Sequence, residues 1–153
     1  RYTGVRVQDA AYMVVVPNIC PDTPPLKKNP VFMYFQDGFQ KPAPFQPDIA
    51  VDIGDVIEKK VDALDAHTSQ MYEWLPWVAG TLDRVPKEPA ERRKWLGGTR
   101  GGGRLTPAVR AALVKWYGAA RAKEIQHAEA FELCEYGRRP DEAGLRQLFL
   151  MVK

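Results

Sequence analysis

The feature that most constrains this chain is a change of hydrophobic period at Gly54. A short apolar run, Ile49 to Ile53, ends there, and beyond it apolar residues recur at Ile57, Val61, Leu64, Met71 and Leu75. The first pattern suits a strand and the second suits one face of an amphipathic helix, so a single glycine separates two periodicities. Asp55 and Glu58 stand three apart at the helix start, which resembles a capping box and sets negative charge where backbone N–H groups lack partners. The helix is therefore expected from Asp55 to about Leu75, with Pro76 ending it.

The remaining elements are read from similar signals. Tyr2 to Val16 is expected to be a helix with Val5, Tyr12 and Val15 on one face, stopped by Pro17. Pro21, Pro24, Pro25 and Pro30 make the next stretch an extended connection. Val31 to Phe35 reads as a buried strand, at whose C-terminal end an open α/β sheet places ligands. Gln36 and Asp37 are thus rim candidates, although a turn beginning at Asp-Gly explains them as well. Pro89 to Leu96 should form a short helix, and the glycines from Gly97 to Gly103 a mobile loop. Thr106-Pro107 starts a helix with Val109, Leu113, Trp116 and Tyr117 on one face; it ends at Gly118 or continues to about Lys123. Phe131 and Leu133 alternate with Glu132 and Cys134 in an expected edge strand, and Pro140 opens a last helix with Leu145, Leu148 and Phe149 on its apolar side.

With 153 residues and 45% hydrophobic content, the chain can build a core as one domain. It carries no signal-peptide pattern and no apolar run of about 18 residues, so no membrane partner is expected and the expected location is soluble and cytoplasmic. Cys20 and Cys134 form no Cys-x-x-Cys and read as ordinary thiols. The net charge of +3 is small, and its one basic concentration, which includes Arg84, Arg92, Arg93 and Arg100, reads as a solvated face. Arginine among glycines occurs once, between helices, so nucleic acid is not an expected partner. The oligomeric state stays open, a homo-oligomer included.

Several segments carry a family resemblance. Pro47-Asp48 leading into Val51-Asp52-Ile53, then Lys60, Ala63-Leu64 and His67-Thr68-Ser69-Gln70, resembles the second signature region of the LmbE/PIG-L family of zinc-dependent N-deacetylases. Ala128-Glu129-Ala130-Phe131 resembles the family's closing strand, and a variable Gly/Arg-rich loop at about 80–105 lies outside the likeness. The family's metal motifs, an Ala-His-Pro-Asp-Asp-Glu turn and a later His-x-x-His, do not occur here. Arg1-Tyr2 opening on an alanine- and valine-rich helix is similar to the segment just past the family's second histidine motif. The resemblance therefore implies an α/β, Rossmann-like fold in which residues 1–153 are a single domain or the C-terminal part of one. It implies zinc held by ligands upstream of Arg1, with the N-terminal half of the same protein as partner. The implied activity is removal of an acetyl group from an N-acetylglucosaminyl-type or related amide, on a small amino-sugar-type substrate. The alternative is a non-catalytic sugar- or partner-binding module with the same fold.

No catalytic residue and no metal ligand is expected in this chain. Its two histidines, His67 and His127, belong to no His-x-x-His, His-x-x-x-His or His-x-x-Asp spacing that could seed a zinc site. The candidate substrate-binding residues are Gln70 and His67, about one turn apart on the central helix. His67 reads as a packed histidine that positions the helix. The resemblance places Gln70 at the substrate pocket, where its amide can donate to a sugar hydroxyl or to the acyl oxygen. Glu129 is expected to pair with Arg121 or a helix N-terminus. Trp74 and Trp77 can stack on a sugar ring, with core burial the commoner fate of such residues.

Overall fold

Three strands, β1 (Val31–Phe35), β2 (Ile49–Asp52) and β3 (Ala128–Gly137), form an antiparallel sheet in the order β1-β3-β2 in a computed structural model that describes residues 2–101 and 103–152. The protein is thus mixed α and β. Arg1, Gly102 and Lys153 lie outside the described residues. The sheet corrects the expectation of β3 as an edge strand. Met33 pairs with Leu133 and Phe35 with Phe131 on one side of it, and the Asp48 N–H donates to the Phe131 carbonyl at 3.0 Å on the other. Ala128, Ala130 and Cys134 are buried while Glu135 is exposed, so the alternation that suggested an edge marks a central strand with one face in the core. The edges are β1 and β2, and β1 is half-buried rather than buried, with Phe35 74% exposed.

The chain divides into two compact units, Arg1–Ile49 with Ala130–Lys153, and Ala50–Glu129. In the first, α1 (Tyr2–Met13) buries Ala11, and Asn29 Nδ2 donates to the Ala11 carbonyl at 2.8 Å, tying down the proline-rich return. Helix α6 (Glu142–Leu148) is capped by Asp141, whose carboxylate accepts from the Gly144 N–H at 2.8 Å. Phe131 sits between the rings of Phe35 and Phe149, at 5.4 and 5.8 Å.

In the second unit, the junction at Gly54 is closed by Asp52 rather than by a capping box. Asp52 Oδ1 accepts from the Gly54 N–H at 2.9 Å, and Oδ2 takes Arg121 at 2.8 Å. A 3-10 turn, Gly54–Val56, leads into α2 (Ile57–Asp65), which has no side-chain cap. Glu58 reaches instead to Arg93 of α4 (Pro89–Leu96), which also holds Asp62. Opposite charge on an adjacent helix competes successfully with a single exposed backbone N–H.

Helix α2 does not continue to Leu75. It ends at Asp65, and after a turn the chain rewinds as a π-helix, Ser69–Trp74, that passes into α3 (Leu75–Val78). Pro76, expected to stop the helix, is buried in the first turn of α3. Its ring nitrogen cannot donate to the Tyr72 carbonyl four residues back and would crowd it, and a wider turn relieves both problems.

Most of the described part of the stretch expected as a mobile loop has regular structure. Gly97–Gly101 forms one π-turn continuing α4, and Gly101 is buried against α2, where a Cβ would lie 2.9 Å from Val61 Cγ2. At Gly103 a Cβ would fall 1.6 Å from the Ala128 carbonyl oxygen. These glycines serve close approach. Helix α5 (Pro107–Glu124) starts at the Thr106 cap and kinks at Gly118 (φ 78°) without ending there. Arg110 donates to the Ala122 and Ile125 carbonyls at 3.0 and 2.8 Å, satisfying groups the helix end leaves open. No helix among the described residues is long and apolar enough to cross a membrane.

Candidate functional site

The π-helical turn sorts its residues into two faces. Met71 and Tyr72 are buried with Leu96, and Leu64, Leu75, Val85 and Trp95 pack around them. Tyr72 donates its hydroxyl to Asp65, and its ring carries the Arg92 guanidinium 5.1 Å from its centre. Burial first, and the Asp65 hydrogen bond second, push the Tyr72 hydroxyl up to about 12. This side is a scaffold that fixes how the helix is rotated.

The opposite side lines a groove of about 480 Å³ formed by Ser69, Gln70, Glu73, Trp74, Trp77 and Leu82. Positions four apart in such a turn lie on one side of it. Ser69, Glu73 and Trp77 therefore fall into one row, and Gln70 and Trp74 into the next. Trp74 is 56% exposed and Trp77 69%, against the expectation that such indoles would be buried. Their burial was the reasonable expectation for an α-helix ending at Leu75; in the observed winding the core positions go to Met71, Tyr72 and Pro76.

Of the candidate pair, the structure places Gln70 on the groove and leaves His67 outside its lining. His67 is exposed, not packed, and its part in the helix is a backbone one: its carbonyl accepts the N–H groups of Gln70 and Met71 at 3.1 and 2.9 Å. Glu129 pairs with Lys60 at 2.9 Å rather than with Arg121, which binds Asp52 and Glu124. Ser69, Glu73 and Leu82 were not singled out from sequence. The spacing of four between Ser69, Glu73 and Trp77 was visible and puts the three on one side of an α-helix as well.

A second hollow, of about 510 Å³, lies beside Tyr34 in the other unit and includes the rim candidate Asp37. Its polar groups satisfy one another. Gln8 Nε2 donates to Tyr34 Oη at 2.6 Å, Tyr34 donates to Glu135 Oε2 at 2.7 Å, and the Gln46 N–H donates to Glu132 at 2.9 Å. Burial, then the contacts with Cys134 and Glu135, raise the Tyr34 hydroxyl, while its hydrogen bond lowers the Glu135 carboxyl. Asp37 caps a turn by accepting from the Phe39 N–H at 3.0 Å, as the Asp-Gly reading allowed. This network holds a helix and a loop to β1 and β3.

Among the described residues no three His, Cys, Asp or Glu side chains come together to hold a metal ion. These residues therefore do not fit a zinc ion. Comparison with family models, with curated proteins and with solved structures finds no match to the chain.

Proposed function

We propose that this chain supplies the sugar-binding part of a zinc-dependent hydrolase that removes an acyl group from an N-acetylglucosaminyl-type amide. The observation that carries this reading is the pair of exposed indoles, Trp74 and Trp77, beside the Gln70 amide in one groove. Sugar rings present flat C–H faces that stack on indoles and hydroxyls that pair with a neutral amide, and groove-lining aromatics with a few polar groups are the usual form of such sites. The zinc ligands of this reading lie upstream of Arg1, and its Rossmann-like sheet is completed there. Within the groove, Gln70 can donate to a ring hydroxyl or an acyl oxygen and Ser69 can do either.

A non-catalytic sugar-binding module is the second reading, and the same indole pair supports it equally. Titrating the chain with tri-N-acetylchitotriose while monitoring tryptophan emission tests what the two share. Saturable quenching that Trp74→Ala and Trp77→Ala abolish is expected, and its absence in the wild type would overturn both. Zinc-dependent acetate release by the full-length protein separates the hydrolase from the module.

A further inference from the structure

Glu73 is the charged member of the groove. It stands in the row between Ser69 and Trp77, its neighbours on the lining are neutral, and among the described residues its carboxylate has no hydrogen bond or ion pair. Some exposed carboxylates of this unit are engaged, Glu58 and Asp62 by Arg93 and Glu124 by Arg121, whereas Asp83, Glu88 and Glu91 stand open like Glu73 but outside the groove. An unengaged carboxylate that shares a groove with two exposed indoles is chemistry suited to a cation, because ring faces and carboxylate attract the same charge.

We infer that Glu73 makes this groove a site for a sugar bearing a free amine, whose ammonium it holds against Trp74 and Trp77. The inference rests on the sugar-groove reading above and goes further than it, since an N-acyl sugar is neutral and gains only stacking and amide contacts. The amine form gains an ion pair and a cation–π contact in addition. Each is small at an exposed site, and together they favour the amine by about tenfold at low salt. In the hydrolase, the groove would then retain the amine that amide hydrolysis leaves, so that product competes with substrate.

The test compares two probes, tri-N-acetylchitotriose and its fully deacetylated counterpart chitotriose, on the full chain. Chitotriose should bind about tenfold tighter at low salt, and the advantage should vanish at about 1 M salt, where charges are screened beyond about 3 Å. Glu73→Gln, an exposed change of nearly equal shape, should erase the advantage and leave the N-acetyl trimer's affinity unchanged. Glu88→Gln, a carboxylate outside the groove, should change nothing. If the N-acetyl trimer binds but chitotriose binds no tighter, or if Glu73→Gln keeps the preference, this inference fails while the sugar reading stands. If neither trimer binds, the sugar reading fails and this inference with it.

Discussion

The N–H of Leu75 donates to the carbonyl of Gln70, five residues back, so the turn that carries the candidate groove is wider than an α-helical one. The donor one position on, at Pro76, does not exist, which ties the winding of the turn to that proline. Turns of this kind recur at functional sites because they re-aim side chains that an α-helix would spread around its surface.

Pro76→Ala should therefore uncouple binding from folding. Losing two buried methylenes costs about 1.6 kcal/mol, and the freer unfolded chain costs about 0.4–1 kcal/mol more. A new N–H that can reach the Tyr72 carbonyl returns about 1 kcal/mol. The net loss of roughly 1–2 kcal/mol lowers Tm by a few degrees, whereas affinity for the N-acetyl trimer should fall about tenfold as Trp74 and Trp77 move apart. Unchanged affinity in calorimetric titration would show that the groove does not depend on the π-turn.

Gln70→Ala and His67→Ala should differ in kind. Gln70 lines the groove and is exposed, so its loss should weaken sugar binding or, in the full enzyme, lower kcat/KM by about 1–3 kcal/mol with Tm unchanged. His67 offers only its backbone to the turn, so alanine there should leave both Tm and affinity close to wild type. A Gln70 variant with full activity would mark this residue as structural.

Gly103→Ala should be among the most damaging small substitutions. Its Cβ would fall 1.6 Å from the Ala128 carbonyl oxygen, a backbone atom that cannot rotate away. Relief requires moving β3 or the connection to α5, at a cost of about 1–3 kcal/mol. Chemical denaturation should show a lower midpoint with an unchanged slope; a variant as stable as wild type would contradict the close approach.

Stability should fall at alkaline pH in a defined window. Tyr72 is held neutral up to about 12 in the folded chain, against an ordinary value near 10, and Tyr34 and Tyr117 are raised as well, chiefly by burial. Between pH 10 and 12 the unfolded chain loses protons that the folded chain keeps, so the contribution is complete below pH 10 and declines as pH rises through the folded value. Denaturation midpoints across this range, with tyrosinate absorbance recorded in parallel, check this. All six tyrosines ionising together near pH 10 in the folded protein would refute it.

The purified chain should carry no stoichiometric zinc, since its described residues bring no three metal-ligating side chains together. Elemental analysis finding one zinc per chain, lost on changing His67 or His127, would demand a different site.

Local signals in the sequence were sufficient for several boundaries that depend on a few neighbouring residues, though not for the cap at Asp55 or the stop at Pro76. Pro89 and Gly97 bounded α4, Thr106 with Pro107 started α5, and the apolar run at Ile49 made β2, because caps, prolines and short-range periodicity act within one turn or strand. Decisions that depended on distant partners needed the tertiary structure. Whether β3 was edge or centre depended on strands far away in sequence, since an exposed face looks alike in both. Gly97, Gly101 and Gly103 read as freedom until Val61 and the Ala128 carbonyl were found against them. The groove itself was half legible: Gln70 and both tryptophans were in view, but a periodicity of 3.6 residues cannot reveal a turn of different width. That width is set where the missing N–H of Pro76 meets a helix held by Tyr72, Met71 and Leu96, and packing of that kind is a property of the folded chain alone.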